Sequence, residues 1–384
     1  MKNKISSTLI FTMLFSLSFM SCKNAEVIDE PVNDSYIYIT QAALTEPYTI
    51  PGNYTYEAGK PVINIPLSVY RTGLNTLEAY SVSIVQTNVV LAQTTKLPAE
   101  AYNLADTIIA DADNRTVNFN LELNIDFLRK NINTNYSLVL TLAHPSKYAL
   151  DESLKTVKIL IKTEELLKAA DLFYDWELKF EDNFDGDKVD VSNWGIYNGG
   201  AGPLGIGLTK KEVFTVENGL LVLSTYKDIN GVIISGGMAH YSNYLFGRIE
   251  FKVKMESDPM QSVGGVILTW PKGGNWPIDG EMDIYECAVK DNTFSTFMHY
   301  GADNSKITFR HEVDKTAWHI IRLDWFADVL ILYRDGEKVW EITDKVVIPQ
   351  VMHHLVIQAG PNKPIMGDPI KMYVDWVRIY QIKK

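Results

Sequence analysis

Cysteine is almost absent from this chain. Cys22 and Cys287 are the two cysteines among 384 residues, which excludes the disulfide framework of small secreted proteins. Cys287 directly follows Glu286, so in a strand its side chain would point away from that carboxylate, and we interpret it as a buried apolar residue. The apolar content of 46% supports large hydrophobic cores, and the length predicts two domains of about 100–200 residues each.

Positive charge is also scarce. The chain has 36 Lys and Arg against 47 Asp and Glu, which gives a formal net charge of −11 at neutral pH. An acidic chain repels the phosphate backbone, so no nucleic-acid partner is expected. The same charge balance makes highly sulfated or uronic polymers a poor fit as ligands.

Signatures of several other enzyme classes are missing. The sequence contains neither the G-x-S-x-G turn of serine hydrolases nor the H-E-x-x-H pair of zinc proteases. Residues 200–205 match G-x-G-x-x-G, but Pro203 interrupts the turn. A strand-like segment over 209–216 follows it, where a dinucleotide site needs a helix. We therefore interpret the glycines as a loop and not as a nucleotide site.

The N-terminus carries the features of a targeting segment. Two lysines precede an apolar run over residues 9–19, and Ser21 and Cys22 follow it. The run is too short for a spanning helix, and the whole resembles a bacterial lipoprotein signal peptide. This implies removal of residues 1–21, lipidation of Cys22, a tether over 22–34, and anchoring at the cell surface or in the periplasm of a Gram-negative bacterium. The alternative is an ordinary secretory signal with a chance cysteine.

Residues 280–286 read Gly-Glu-Met-Asp-Ile-Tyr-Glu and hold three carboxylates. Met, Ile and Tyr favour a strand, in which Glu281 and Asp283 share a face. Glu286 is five residues from Glu281 and would point to the opposite face, unless a β-bulge between Asp283 and Glu286 adds one residue. With the bulge, Glu281 and Glu286 are about 13 Å apart along the strand. Two Glu side chains leaning together could approach the roughly 5–5.5 Å carboxyl separation of a retaining glycosidase.

The residues before this segment change its interpretation. Alone, an acidic strand of this kind would indicate a solvent-facing surface or a calcium site. Here a loop rich in Pro and Gly precedes it and contains Trp270 and Trp276. An indole offers a flat apolar face on which a sugar ring can stack. Aromatic platforms beside paired carboxylates are typical of proteins that bind and cleave a neutral polysaccharide.

At this point the sequence resembles glycoside hydrolase family 16, whose signature is E-x-D-x-E or the bulged E-x-D-x-x-E. The resemblance covers residues 172–384. Segments similar to other family strands are residues 235–237 with 244–250, His299-Tyr300-Gly301, Trp318-His319 with Asp335-Gly336, and 372–380. It implies a β-jelly-roll sandwich of the concanavalin A-like type, with two bent antiparallel sheets and a cleft on the concave one. Lys252 stands where the family carries a second arginine.

The resemblance also implies catalytic roles, those of a retaining endo-glycosidase. Glu281 would be the nucleophile, and Glu286 the acid/base, with a raised pKa that keeps it protonated at the start of the cycle. Asp283 would hydrogen-bond the nucleophile and separate the titrations of the carboxylates. The substrate implied is a β-1,3- or mixed-linkage β-1,3/1,4-glucan. The alternatives are a lipoprotein that binds glycans without cutting them, a transglycosylase, and a hydrolase of a galactan.

Other site residues follow from the same resemblance. Trp276 and Trp270 would stack on sugar rings. His299 would lie near the acid/base, although a histidine satisfied within the sheet is an equal alternative. No cofactor is required, but family members often hold a structural calcium, and the matching ligands are Asp375, Gly219 and Asn183. The expected partners are the polysaccharide, the membrane through the lipid anchor, and other glycan-uptake proteins.

The N-terminal half has a different pattern. Residues 35–163 contain six or seven short alternating segments separated by turn signals, which predict an immunoglobulin-like β-sandwich. This region resembles the N-terminal sandwich, domain-of-unknown-function family 1735, of glycan-scavenging lipoproteins. Residues 164–171 are predicted to be a linker with a short helix that Thr163 caps. The chain as a whole is therefore predicted to be all-β, with the jelly roll following the sandwich.

Overall fold

The computed structural model describes residues 35–383 except 45, 58–59, 74–76 and 288–291. The predicted signal peptide, its lipidated Cys22 and the tether lie outside the described residues. The chain divides into two compact units, Met1–Phe173 and Tyr174–Lys384. Among the described helices, none has the length and apolar character needed to cross a membrane.

The N-terminal unit is a β-sandwich. Its strands are β1 (Tyr36–Ile39), β2 (Tyr48–Ile50), β3 (Thr55–Tyr56), β4 (Val62–Arg71), β5 (Tyr80–Gln86), β6 (Thr95–Lys96), β7 (Tyr102–Asn103), β8 (Thr107–Ala110), β9 (Thr116–Asn124), β10 (Tyr136–Ala143), β11 (Ala149–Leu150) and β12 (Thr156–Ile161). In the described part they form two six-stranded sheets, ordered β11-β1-β4-β9-β7 with β3 on β4, and β2-β12-β10-β5-β8 with β6 on β10. Alternate residues of both sheets fill one core, for example Ile65 and Leu138. The predicted sandwich is confirmed.

The helices of this unit are α1 (Ile125–Lys130) and α2 (Thr163–Ala169). The predicted helix near residue 164 is present, but its cap was wrong by one position. Lys162 is the N-cap and makes no side-chain capping bond. The buried Thr163 hydroxyl instead donates a 2.6 Å hydrogen bond to the Thr134 carbonyl. Leu166 and Leu167 are fully buried in the sandwich core. The helix is thus part of the N-terminal unit.

The C-terminal unit is the predicted jelly roll. Its strands are β13 (Trp176–Asp182), β14 (Trp194–Ile196), β15 (Leu208–Thr209), β16 (Phe214–Glu217), β17 (Leu220–Lys227), β18 (Ile233–His240), β19 (Gly247–Met255), β20 (Val263–Pro271), β21 (Glu281–Glu286), β22 (Phe294–Tyr300), β23 (Ser305–His311), β24 (His319–Trp325), β25 (Leu330–Arg334), β26 (Glu337–Ile342), β27 (His353–Pro361) and β28 (Ile370–Ile382). One half has the order β23-β22-β21-β20-β27-β18, and the other β17-β28-β19-β24-β25-β26. The halves join where Tyr226 and Lys227 pair with β18.

The two halves pack around one hydrophobic core. Phe251 and Leu323 from one half and Ile267 and Ile357 from the other belong to it. The faces of β20, β21, β22 and β27 that point away from this core carry polar, aromatic and aliphatic side chains. The aliphatic ones, Val266, Leu268 and Val356, form a small cluster of their own. The four strands are consecutive antiparallel neighbours in the order β22-β21-β20-β27. Side chains that are distant in sequence therefore meet on this face.

Candidate active site

The strand β21 contains the predicted bulge. Between Asp283 and Glu286 its register against β22 shifts by one residue, so Ile284 and Tyr285 stand together opposite Thr296. Both are fully buried in the core. Because two consecutive residues face the core, Glu286 returns to the outer face that carries the other two carboxylates. The prediction from parity is confirmed, and the three acidic side chains share one face.

Hydrogen bonds fix the first two carboxylates. The Trp276 indole Nε1 donates to Glu281 Oε2 over 2.7 Å, and Asp283 hydrogen-bonds with Glu281. His299 Nε2 lies 3.4 Å from Asp283 Oδ2, and its Nδ1 lies 2.8 Å from the Asn304 side-chain oxygen. His299 therefore contacts Asp283, and it stands opposite Glu281 in the sheet; its predicted place beside the acid/base Glu286 stays a prediction.

These three side chains also have the spacing of metal ligands. One polar atom from each of Glu281, Asp283 and His299 lies within 4.8 Å of the others, and no second such trio occurs in the described part of the chain. Each member already has a protein partner. The Trp276 indole N–H donates to Glu281, and the His299 imidazole pairs with Asp283. Protein groups therefore already occupy positions around these carboxylates that a metal ion would take.

Burial shifts the titrations of the site. Burial first, and then the charge of Asp283, raises the pKa of Glu281. Because Glu281 and Asp283 are hydrogen-bonded, this proton belongs to the pair. Burial, followed by the charge of Asp283, raises the pKa of Glu286 to about 7, while His299 and Lys306 oppose the rise. At neutral pH the cluster thus retains protons that an acid catalyst needs.

The aromatic side chains form a platform beside the carboxylates. The rings of Trp270 and Trp276 are stacked, with centroids 6.0 Å apart and planes 15° apart. Trp276 remains 40% exposed. Its loop is tied to the sheet, since His353 bonds through Nε2 to the Asp279 carbonyl (3.1 Å) and through Nδ1 to the Thr269 hydroxyl (2.9 Å). Both predicted stacking residues therefore lie at the site.

Two residues of this face were not singled out from the sequence. Phe297 pairs directly with Asp283, and the Lys306 ammonium lies 5.0 Å from the Phe297 ring centroid. Lys306 is also close enough to lower the pKa of Glu286. The alternation of β22 could have identified Phe297, because it has the same parity as His299.

The comparisons with known proteins identify this half of the chain. Residues 206–378 match the family described as Glycosyl hydrolases family 16. The C-terminal unit belongs to glycosyl hydrolase family 16. Its members are glycoside hydrolases, as the sequence analysis expected. No curated protein matches the chain.

Solved structures of similar fold include laminarinases. One, from Flavobacterium sp. UMI-01, has 20% identity and a TM-score of 0.47, and the match covers 53% of this chain and 100% of that one. A catalytic domain of an endo-1,3-beta-glucanase from Thermotoga petrophila RKU-1 has 21% identity, a TM-score of 0.47, and coverage of 55% and 100%. LamAcat from Zobellia galactanivorans has 19% identity, a TM-score of 0.44, and coverage of 53% and 97%.

The residues predicted to bind calcium do not fit that ion well. Asp375 lies on β28, and its Oδ2 accepts a hydrogen bond of 2.6 Å from the Lys252 ammonium. The remaining predicted ligands, Gly219 and Asn183, would contribute uncharged carbonyl oxygens. Because a protein ammonium already neutralises the one carboxylate, the donor set lacks the net negative charge that calcium sites use.

Proposed function

We propose that the C-terminal unit is a retaining endo-glycosidase of a β-1,3- or mixed-linkage β-1,3/1,4-glucan. The observation that carries this is the bulged strand, which puts Glu281, Asp283 and Glu286 on one face next to the stacked indoles of Trp270 and Trp276. Two carboxylates of unequal environment are what double displacement at an anomeric carbon needs. The glucan assignment is supported by the motifs that the chain shares with family 16.

In the proposed mechanism the two glutamates have different roles. Glu281 attacks the anomeric carbon and forms the glycosyl-enzyme bond while the glycosidic C–O bond breaks, and Glu286 gives its proton to the departing oxygen. A water molecule then attacks the same carbon, Glu286 takes the proton of that water, and Glu281 leaves as a carboxylate. Both original protonation states are thereby restored.

The neighbours of Glu281 prepare it for attack. The indole N–H of Trp276 stabilises the carboxylate charge, because a hydrogen bond to the ionised form favours that form. Asp283 hydrogen-bonds with Glu281 and so helps to hold the attacking carboxyl group in place. The exposed face of Trp276 is then positioned to stack on a sugar ring within reach of the nucleophile.

A substrate panel tests this function. Purified protein and its Glu281→Gln variant are incubated with β-1,3-, mixed-linkage and β-1,4-glucans and with galactans, and reducing ends are measured. We expect internal cleavage of β-1,3-containing glucans by the wild type alone. Proton NMR of the first products should show retention of the β configuration. An α anomer as the first product would rule out the retaining mechanism.

The same panel separates the alternative functions. Activity on galactans alone would overturn the glucan assignment and leave the hydrolase intact. Products longer than the substrate would indicate a transglycosylase. Binding to a glucan by affinity electrophoresis without any product would indicate a glycan-binding lipoprotein, the outcome in which the catalytic proposal is wrong.

We further propose that the mature protein is a membrane-anchored lipoprotein acylated at Cys22. The support is the order of basic residues, apolar run, Ser21 and cysteine in the sequence. Stable anchoring of this kind needs more than one acyl chain. Cys22→Ala should move the protein from the membrane fraction to the soluble fraction, and unchanged fractionation of that variant would contradict the anchor.

A further inference from the structure

The bulge of β21 has a dedicated hydrogen-bond partner. A β-bulge leaves a backbone group of the extra residue without its ladder partner. Here the carbonyl of Ile284 accepts a hydrogen bond of 2.7 Å from the Thr296 hydroxyl. Thr296 is fully buried and is the single residue of β22 that stands opposite the two bulge residues. A side chain therefore replaces the missing backbone donor at the point where the register changes.

A histidine on the next strand orients that hydroxyl. His311, at the end of β23, is fully buried, and its Nε2 lies 3.0 Å from Thr296 Oγ1. Since the Thr296 hydroxyl donates its one proton to Ile284, it must accept at Oγ1, which assigns the His311 proton to Nε2. The other ring nitrogen then faces the Arg334 guanidinium at 3.5 Å as an acceptor.

In this series of hydrogen bonds each residue donates to the next. Arg334 donates toward His311, His311 donates to Thr296, and Thr296 donates to the Ile284 carbonyl. Burial, and then the charge of Arg334, lowers the pKa of His311 to about 3. The imidazole is therefore neutral near neutral pH, which keeps the direction of the contacts constant.

We propose that Thr296 is a positioning residue, whose hydroxyl fixes the bulge that brings Glu286 to the face of Glu281 and Asp283. A strand that paired without the bulge would turn the Glu286 side chain toward the core, because a one-residue slip exchanges the faces. This inference rests on the proposed function, since Thr296 acts only through the acid/base role of Glu286.

The test compares two variants of Thr296 with a control variant at another buried threonine. Thr296→Val removes the hydroxyl and keeps the volume, and Thr296→Ser keeps the hydroxyl. The matched control is Thr225→Val on β17. Thr225 is also fully buried in a strand, and its hydroxyl has no hydrogen-bond partner within the described residues. The control therefore reports what loss of a buried threonine hydroxyl does away from the bulge.

Kinetics should separate positioning from general damage. For Thr296→Val we expect a loss in kcat of roughly 10- to 100-fold on the glucan with KM nearly unchanged, because a displacement of about 1 Å can reduce a rate 100-fold. On an aryl β-glycoside with an activated leaving group the loss should be small, since that substrate needs little protonation by Glu286. Thr296→Ser should recover most of the glucan activity, and Thr225→Val should keep all of it.

Hydrogen exchange gives a second readout that needs no substrate. Amides of residues 281–286 should exchange faster in Thr296→Val than in the wild type or in Thr225→Val. Equal losses on both substrates, failure of serine to rescue, or unchanged exchange over 281–286 would each overturn the positioning role. If the wild type cleaves no glycan, the proposed function fails while hydrogen exchange still decides whether Thr296 holds the bulge.

Discussion

The indole nitrogen of Trp276 donates a hydrogen bond of 2.7 Å to the Glu281 carboxylate. The same side chain is 40% exposed, and its ring stacks on that of Trp270. One residue thus presents a surface for a sugar and stabilises the charge of the predicted nucleophile. The bond lowers the pKa of Glu281 and opposes the rise that burial and Asp283 cause.

Loss of this hydrogen bond should reduce catalysis. Trp276→Phe keeps an aromatic face but removes the donor, so Glu281 should hold its proton more strongly. We expect a decrease in kcat of roughly 10- to 100-fold, the equivalent of about 1.5–3 kcal/mol for a charge-assisted hydrogen bond. The acidic limb of the pH profile of kcat/KM should move to higher pH. Trp270→Phe is the matched control, and a control that moves that limb equally would contradict the assignment.

The titration of Glu286 predicts a pH-dependent stability. Its pKa is raised from 4.5 to about 7 in the folded state, so the folded protein binds the proton more tightly than the unfolded chain. Its burial therefore destabilises the fold increasingly as pH rises from about 4.5 through about 7. Glu286→Gln should be more stable than the wild type at pH 8 by up to roughly 3 kcal/mol, and equally stable near pH 4.

Urea unfolding followed by tryptophan fluorescence measures this difference. All 8 tryptophans lie between residues 176 and 376, so the signal reports the C-terminal unit. A stability gain that is the same at pH 4 and pH 8 would contradict the raised pKa. In activity, kcat/KM of the wild type should fall as pH rises above about 7, because Glu286 then loses the proton that the leaving group needs.

The bulge was predictable from the sequence, because side chains alternate between the two faces of a strand. Three acidic side chains at positions 281, 283 and 286 can share a strand face only if one residue is added between the last two. The interaction of Thr296 with His311 could not be predicted in this way. These residues lie 15 positions apart on two strands, and both fit ordinary alternation. Their contact depends on the register of β23 against β22, which the sequence does not specify.

The fold was predictable at the level of layers but not of every strand. Longer strands such as β4 and β12 show alternation of buried and partly exposed residues over most or all of their length. Strands of two residues, such as β3, β6 and β11, are too short to show any period, and they explain why the N-terminal sheets hold more strands than predicted. The bond from Trp276 to Glu281 also escaped prediction, because it depends on the path of the loop between β20 and β21.

The ion pair between Lys252 and Asp375 leads to a prediction about calcium. Because Lys252 neutralises the carboxylate, EDTA and calcium should leave the wild-type melting temperature unchanged. Lys252→Met should lower that temperature by about 1–4 °C, since an ion pair whose side chains are partly exposed contributes up to about 1 kcal/mol. Calcium should restore the melting temperature in this variant, because the Asp375 carboxylate has then lost its ammonium partner and can bind the cation.

A neighbouring lysine provides the control for this experiment. Lys254 lies on the same strand, and its ammonium is 5.0 Å from the rings of Trp318 and Tyr373. Lys254→Met changes the charge equally without touching Asp375, so calcium should not affect it. A wild-type melting temperature that falls in EDTA would show that a bound metal stabilises the protein and that Lys252 does not replace it.

The two glutamates should respond differently to the leaving group. Glu286→Ala should lose about 10²–10⁴-fold on the glucan, where a poor leaving group needs the proton, but keep appreciable activity on an activated aryl β-glycoside. Added azide should raise its turnover and give a β-glycosyl azide, because azide can attack the glycosyl-enzyme without a general base. Glu281→Ala should lose at least about 10⁴-fold on both substrates, since every substrate needs the covalent intermediate.

The azide products distinguish this assignment from its reverse. In Glu281→Ala, azide can replace the missing carboxylate only from the face that Glu281 occupied, so any product should be the α-azide. Asp283→Asn should fall between the two alanine variants, mainly through kcat, because Asp283 shares a proton with Glu281 without bonding to the sugar. Identical behaviour of the two alanine variants on both substrates would contradict the separate roles. It would mean that the bulge does not hold Glu286 in position to protonate the leaving oxygen.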